Sequence, residues 1–155
     1  RFNELRKAVE SGVRHPILLG ATSLLRNWST QNVSRLRARA IWHEYFRSFD
    51  AFLSPVAFVA AFPHDHQPEA HTRKIVTSAG EREYWDVLNW IMPATLTGCP
   101  ATAVPVGRTA SGLPVGLQVM GPYLEDATPI DIAMKMADVT GGFVPPKGFA
   151  SPTSR

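Results

Sequence analysis

The stretch "GCPATAVPVGRTASGLPVGLQVMG", residues 98 to 121, constrains the fold of this 155-residue chain more than any other. Residues 101–106, "ATAVPV", and 115–120, "VGLQVM", are apolar at nearly every position, with the turn-like "GRTASG" between them. Strict alternation marks a strand with one wet face, whereas near-continuous apolarity marks a strand covered on both faces. The two runs therefore read as strands central to a layered α/β domain rather than as a free hairpin. Yet the stretch holds three prolines and five glycines, residues that weaken strands. That punctuation needs a physical reason.

The flanking sequence supplies helices. "RFNELRKAVESG" predicts a short helix ending at Gly12, with Phe2, Leu5 and Val9 on one side. Pro16 and Gly20 bracket the apolar run "ILL". From Ser29, "STQNVSRLRARAIWHEYFRSF" offers Ser29 or Thr30 as an N-cap and then contains no Gly or Pro. Val33, Leu36 and Ala40 recur at helical spacing, and Trp42, Tyr45, Phe46 and Phe49 extend the stripe, so a long amphipathic helix is expected. "DAFLSPVAF" reads as a short buried strand stopped by Pro55, and "AAFPHDHQPEAHTRK" as loop. "GEREYWDVLNWIM", residues 80–92, returns to helical spacing through Tyr84, Leu88 and Ile91 before Pro93 and Gly98 interrupt it.

"TPIDIAMKMADVTGG" carries its own boundary marks. Thr128 is the expected cap, Pro129 the first helical residue, Asp131 the partner in a capping box, and Gly141 the stop. Ile130, Ala133, Met134 and Ala137 are its expected buried stripe. The organisation that follows is a poorly defined segment over 1–28, the folded part over 29–142, and a Pro-rich tail over 143–155.

Composition removes several function classes. Hydrophobic residues are 45% and charged residues 19%, which is a globular balance. The net charge is +3, and its densest run, Arg35, Arg37 and Arg39, is distributed around a helix. A solvated helix surface is the simpler reading, and no nucleic-acid partner is expected. Cys99 is the single cysteine, so no internal disulfide forms, which suits a reducing, cytoplasmic setting. No apolar run approaches the roughly 18 residues that span a bilayer, and no signal peptide is visible. No membrane partner is expected.

Three features invite chemistry. "HDHQPEAH" brings His64, His66 and His71 close to Asp65 and Glu69, donors that metals use. The segment is loop and lacks H-E-x-x-H or paired-cysteine spacing, so exposed histidines are favoured and no metal or cofactor is assigned. Cys99 lies between Gly98 and Pro100 in apolar surroundings, which suits packing better than a thiolate nucleophile. Trp85 and Trp90 suit either core packing or the wall of a ligand pocket. No G-x-S-x-G elbow, phosphate loop or dinucleotide fingerprint occurs, and no catalytic residue is assigned.

Taken together, "FDAFLSPVAFVAAFP", "PATLTGCPATAVPVG" and "GLPVGLQVMGPYLEDATPIDIA" resemble the C-terminal part of the amidase signature family. The order and spacing of T-x-x-G-x-P-A-x-x-V-P-x-G and G-L-P-x-G-L-Q carry the resemblance, over residues 49 to 140. It implies an α/β fold in which part of a mixed β-sheet is covered by helices on both faces. Pro105 and Pro114 would then sit where strands enter or leave the ladder. Gly98, Gly112 and Gly116 would permit turns and close backbone approach.

The resemblance also implies amide hydrolysis through an acyl-serine, using a serine nucleophile, a second serine in a cis peptide and a neutral lysine base. Those residues lie in a Gly/Ser-rich signature and an upstream lysine. No GGSSGG-like run occurs here, so Lys7, Lys74, Lys135 and Lys147 have no such loop to serve. The chain is expected to be the C-terminal piece of a longer amidase, inactive alone; a non-catalytic binding or pseudo-enzyme module from a truncated gene is the alternative.

In the amidotransferase branch, an acidic residue about ten positions before the conserved glycine contacts glutamine. Counting back from Gly98 reaches Leu88 and Asn89, with Asp86 slightly off register, and Thr95 replaces the common asparagine. A general amidase with an apolar or aromatic pocket is therefore favoured. Trp85, Leu88, Asn89, Trp90 and Ile91 form its expected substrate wall. The expected partner is a small-molecule amide, with self-association left open.

Overall fold

The computed structural model describes residues 1–12, 16–68, 72–146 and 148–149. The chain divides into two units, Arg1–Ala38 and Arg39–Arg155. The first contains α1 (Phe2–Glu10), α2 (Pro16–Ala21) and the beginning of α3 (Leu25–Tyr45). α1 stops as its sequence predicts: the Ser11 N–H donates to the Lys7 carbonyl at 2.8 Å and Gly12 turns to a φ of 100°.

α3 begins four residues before the expected cap. Thr30 lies inside it, and its hydroxyl donates back to the Arg26 carbonyl at 3.1 Å. Such back-bonding leaves the residue compatible with a helix interior, so Ser29 and Thr30 do not cap. The expected stripe is only partly used. Val33 and Leu36 are exposed, whereas Trp42 and Phe46, in the second unit, pack on a buried cluster.

The second unit holds β1 (Phe52–Pro55), β2 (Lys74–Thr77), β3 (Gly80–Glu83), α4 (Met92–Thr97), β4 (Ala101–Arg108), β5 (Pro114–Met120) and α5 (Ala127–Thr140). Three strands pair antiparallel in the order β1–β5–β4, and β2 and β3 form a separate hairpin. β5 is thus the central strand, which explains why "VGLQVM" is so apolar.

The register assigns its two faces. Val119 pairs with Leu53 and Thr102, while Met120 pairs with Phe52 and Ala101. Val104, Val119 and Ala133 form one buried cluster, joined by Ile132 and Met136 of α5. Ala94, Cys99 and Met120 form the other, joined by Trp42, Phe46 and Phe52. Helices therefore cover both faces at the end of β5, where Val119 and Met120 are fully inaccessible. The coverage is local: Ala101 and Ala103 of β4 are exposed.

The prolines and glycines now have reasons. Pro114 is the first residue of β5, and Pro105 adjoins a register shift between Pro105 and Gly107. Both are places where a missing N–H removes little from a ladder. Gly116 lies so near β4 that a Cβ would come 3.2 Å from the Val104 carbonyl oxygen.

Two helix expectations change. Residues 80–92 are not one helix. Glu81, Arg82 and Glu83 pair with β2, a single 3₁₀ turn spans Tyr84–Leu88, and Pro93 lies in the first turn of α4 rather than ending a helix. Cross-strand pairing, including the Lys74–Glu83 ion pair, outweighs the helical spacing. α5 starts one residue before Thr128, whose hydroxyl meets Glu125 Oε2 at 3.3 Å rather than capping. Its inward side is Pro129, Ile132, Ala133 and Met136, leaving Ile130 and Met134 exposed; Gly141 stops it as expected. The helical period holds, and its phase is offset.

Candidate functional site

The segment between β3 and β4 contains all five expected wall residues. The 3₁₀ turn continues into helical backbone at Asn89, whose N–H donates to the Asp86 carbonyl at 3.1 Å. The Ile91 N–H donates to the Leu88 carbonyl at 3.1 Å, and α4 follows directly. Leu88 and Ile91 are half-buried, Asn89 is exposed, and Trp85 and Trp90 remain 45% and 40% exposed. Two tryptophans this open are not finished core packing; they present apolar area to whatever lies beyond the segment.

The main chain behind those rings is tied to the sheet. Gln118 of β5 is buried, and its Nε2 donates to the Trp90 carbonyl at 3.2 Å and toward Ser54 Oγ at 3.4 Å. Ser54 of β1, directly opposite Gln118, is 2% exposed. A buried amide left without partners would cost about 1–3 kcal/mol, so the bracket both satisfies Gln118 and locates Trp90.

α4 is held at its other end. Arg39 Nε donates to the Thr97 carbonyl at 2.6 Å, and the guanidinium lies 3.8 Å over the Tyr123 ring. A cation at a helix C-terminus completes its free carbonyls. Gly98, at a φ of 72°, ends the helix in a conformation that favours glycine, and a Cβ there would come 3.2 Å from Arg39 Nη2. Arg39 is therefore a structural cation and not the solvated residue expected. Sequence reasoning missed Gln118, Ser54 and Arg39; the one available signal was a glutamine inside an otherwise apolar central strand.

Other candidates separate cleanly. Asp86 is engaged by Arg82 Nε at 2.8 Å. Cys99 is buried in the Met120 cluster, as its surroundings suggested. His64 and His66 are exposed, their rings 6.0 Å apart, beside an open cleft of about 550 Å³ also lined by Arg73 and Tyr84. Glu69 and His71 lie outside the described residues. Among the described residues no group of three or more His, Cys, Asp or Glu is placed to hold a metal ion.

The lysines do not resemble a neutral base. Lys74 pairs with Glu83, and Lys7 is exposed on α1. Lys135 has its pKa raised, first by its hydrogen bond to Asp131 at 2.6 Å and then by that carboxylate's charge, opposite to what proton acceptance requires. Lys147 lies outside the described residues. Among the described residues no helix is long and apolar enough to cross a membrane.

Known proteins extend this picture. The chain is 28% identical over 137 residues to a glutamyl-tRNA(Gln) amidotransferase subunit of Ehrlichia ruminantium, covering 85% of this chain and 26% of that protein. It is 31% identical over 96 residues to a fatty acid amide hydrolase of Arabidopsis thaliana, covering 61% of this chain and 15% of that one. The crystal structure of an amidase superposes with a TM-score of 0.60 at 25% identity, over 90% of this chain and 32% of that one. The chain thus spans about a quarter of the length of the Ehrlichia protein. The family model for amidases matches residues 2–129. With the paired motifs seated on β4 and β5 and that match running through most of the sequence, the chain belongs to the amidase family.

Proposed function

We propose that this chain is the C-terminal part of an amidohydrolase that converts carboxylic amides to acid and amine or ammonia, working in the cytoplasm. The observation that carries the reading is the half-open segment Trp85–Ile91, held by the buried Gln118 on the central strand of an amidase-family sheet. In this reading the serine nucleophile, the second serine and the base belong to residues outside the chain. The chain supplies scaffold strands and the substrate wall formed by Trp85, Leu88, Asn89, Trp90 and Ile91. Hydrolysis then runs by attack of a serine on the amide carbonyl, release of the amine, and attack of water on the acyl-serine. The wall's part is to bury an apolar acyl or amine group and orient the carbonyl.

One observation favours a second reading. The Ehrlichia amidotransferase is similar over 85% of this chain, so glutamine belongs among the substrates tested. Against it, Leu88 and Asn89 stand near the place where, by the resemblance, that branch uses an acid, and Asp86 is already committed to Arg82. The test is an amide panel with the complete protein, from acetamide and glutamine to aromatic amides, alongside Trp90→Ala. The reading expects aromatic amides to be preferred and Trp90→Ala to shift relative kcat/KM toward small amides by about tenfold or more. Unchanged kinetics across the panel would refute the wall.

A further inference from the structure

The bracket on the central strand has a consequence for specificity. Trp90 donates nothing to it and offers only its carbonyl, while the residue stays 40% exposed. Asn89 and Ile91 bond to Asp86 and Leu88, within their own segment. The Gln118 bond, by contrast, spans 28 residues and reaches from the middle of the sheet. Its donor sits on a strand whose next two residues are wholly inaccessible, so it has a rigid base.

The second acceptor matters too. Ser54 Oγ faces the same amide from β1, and Ser54 is itself 2% exposed. Ser54 Oγ, set on the paired strand β1, limits how the amide of Gln118 can rotate. A side chain held this way sets where a main-chain carbonyl lies, and through it where the attached ring stands.

We propose that Gln118 is a positioning residue for substrate specificity, setting the Trp90 main chain so that the indole meets the bulky group of an amide substrate, with Ser54 fixing the orientation of its amide. The inference rests on the wall reading above and goes beyond it by assigning the discrimination among substrates to a residue that never touches one. The bond is neutral and partly buried, so a shape-preserving change that removes the donor releases the Trp90 carbonyl without altering charge. An error of about 1 Å in such a segment is enough to cost large factors in turnover of substrates that depend on it.

The test is steady-state kinetics of the complete protein with an aromatic amide and with acetamide, comparing Gln118→Met, Gln118→Glu, Ser54→Ala and Trp90→Ala. Gln118→Met keeps the length and removes the donor. It should raise KM for the aromatic amide by about tenfold while kcat/KM for acetamide stays within about twofold. Gln118→Glu sets a carboxylate against the carbonyl and should lose more, and Ser54→Ala should lose less, in the same direction. A purely structural glutamine would lower the melting temperature and the active fraction but leave the ratio between substrates where it was. If Gln118→Met does not fold, the Ser54→Ala ratio decides. A shifted ratio in Trp90→Ala with an unchanged ratio in the Gln118 and Ser54 variants overturns the positioning role alone. No shift in Trp90→Ala overturns the wall and the positioning role with it.

Discussion

The two faces of β5 are built differently. Beneath α5 the side chains are apolar throughout: Val104, Val119 and Ala133, with Ile132 and Met136 closing over them. On the other face an apolar cluster around Met120 gives way within two residues to Gln118 and Ser54, both buried and polar. One face is made to hold the sheet together. The other holds it together at one end and positions a segment at the other. The difference shows how a strand can be inaccessible along its final residues and still divide its labour by residue parity.

The sharpest way to break that comparison is to put charge into the purely apolar face. Val119→Asp buries an unpaired carboxylate at a site with no accessibility and should cost more than about 4 kcal/mol, abolishing cooperative unfolding in calorimetry. A variant that melts like the parent would show that the α5 face is not a sealed core. Next in size is Met120→Ala on the opposite face, which should cost about 2–5 kcal/mol in urea denaturation by leaving a cavity among Ala94, Cys99 and the aromatic cluster. Trp42 and Phe52, with ring centroids 4.9 Å apart, limit how far that cavity can collapse.

A smaller effect sharpens the α5 side. A Cβ on Gly121 would lie 2.6 Å from Pro129 Cδ, and the ring belongs to the rigid start of the helix. Gly121→Ala should therefore destabilise by about 1–3 kcal/mol, read from the denaturation midpoint, and an unaffected midpoint would mean the helix start shifts freely. The smallest effect lies outside both faces. Lys135→Ala removes the Asp131 pair on the exposed side of α5 and should leave the melting temperature unchanged within error. A measurable loss there would give the outer surface of α5 a stabilising role.

How much of this was legible beforehand depends on whether a feature is local. The strands β1, β4 and β5, the end of α1, the packed Cys99 and the Gly141 stop follow from neighbouring residues, and the structure bears them out. The phase of α5 was not legible, because Ile130 and Met134 fit a buried stripe as well as Ile132 and Met136 do. What decides is the approach of Pro129 to Gly121, a contact between elements. Likewise, "GEREYWDVLNWIM" has helical spacing, but its first residues find a partner in β2 that spacing alone does not announce. The residues proposed as the substrate wall could be named from the resemblance, yet Gln118 could not be given a task. Its partners are 28 and 64 positions away, beyond any window of local pattern.

The most direct measurement is a crystal structure of the complete protein with a slowly hydrolysed aromatic amide bound. The expected result is the aromatic group lying against Trp90, with Trp85, Leu88, Asn89 or Ile91 beside it and the Gln118 bond to the Trp90 carbonyl intact. An amide seated elsewhere, with residues 85–91 facing only solvent or a neighbouring strand, would contradict the substrate wall.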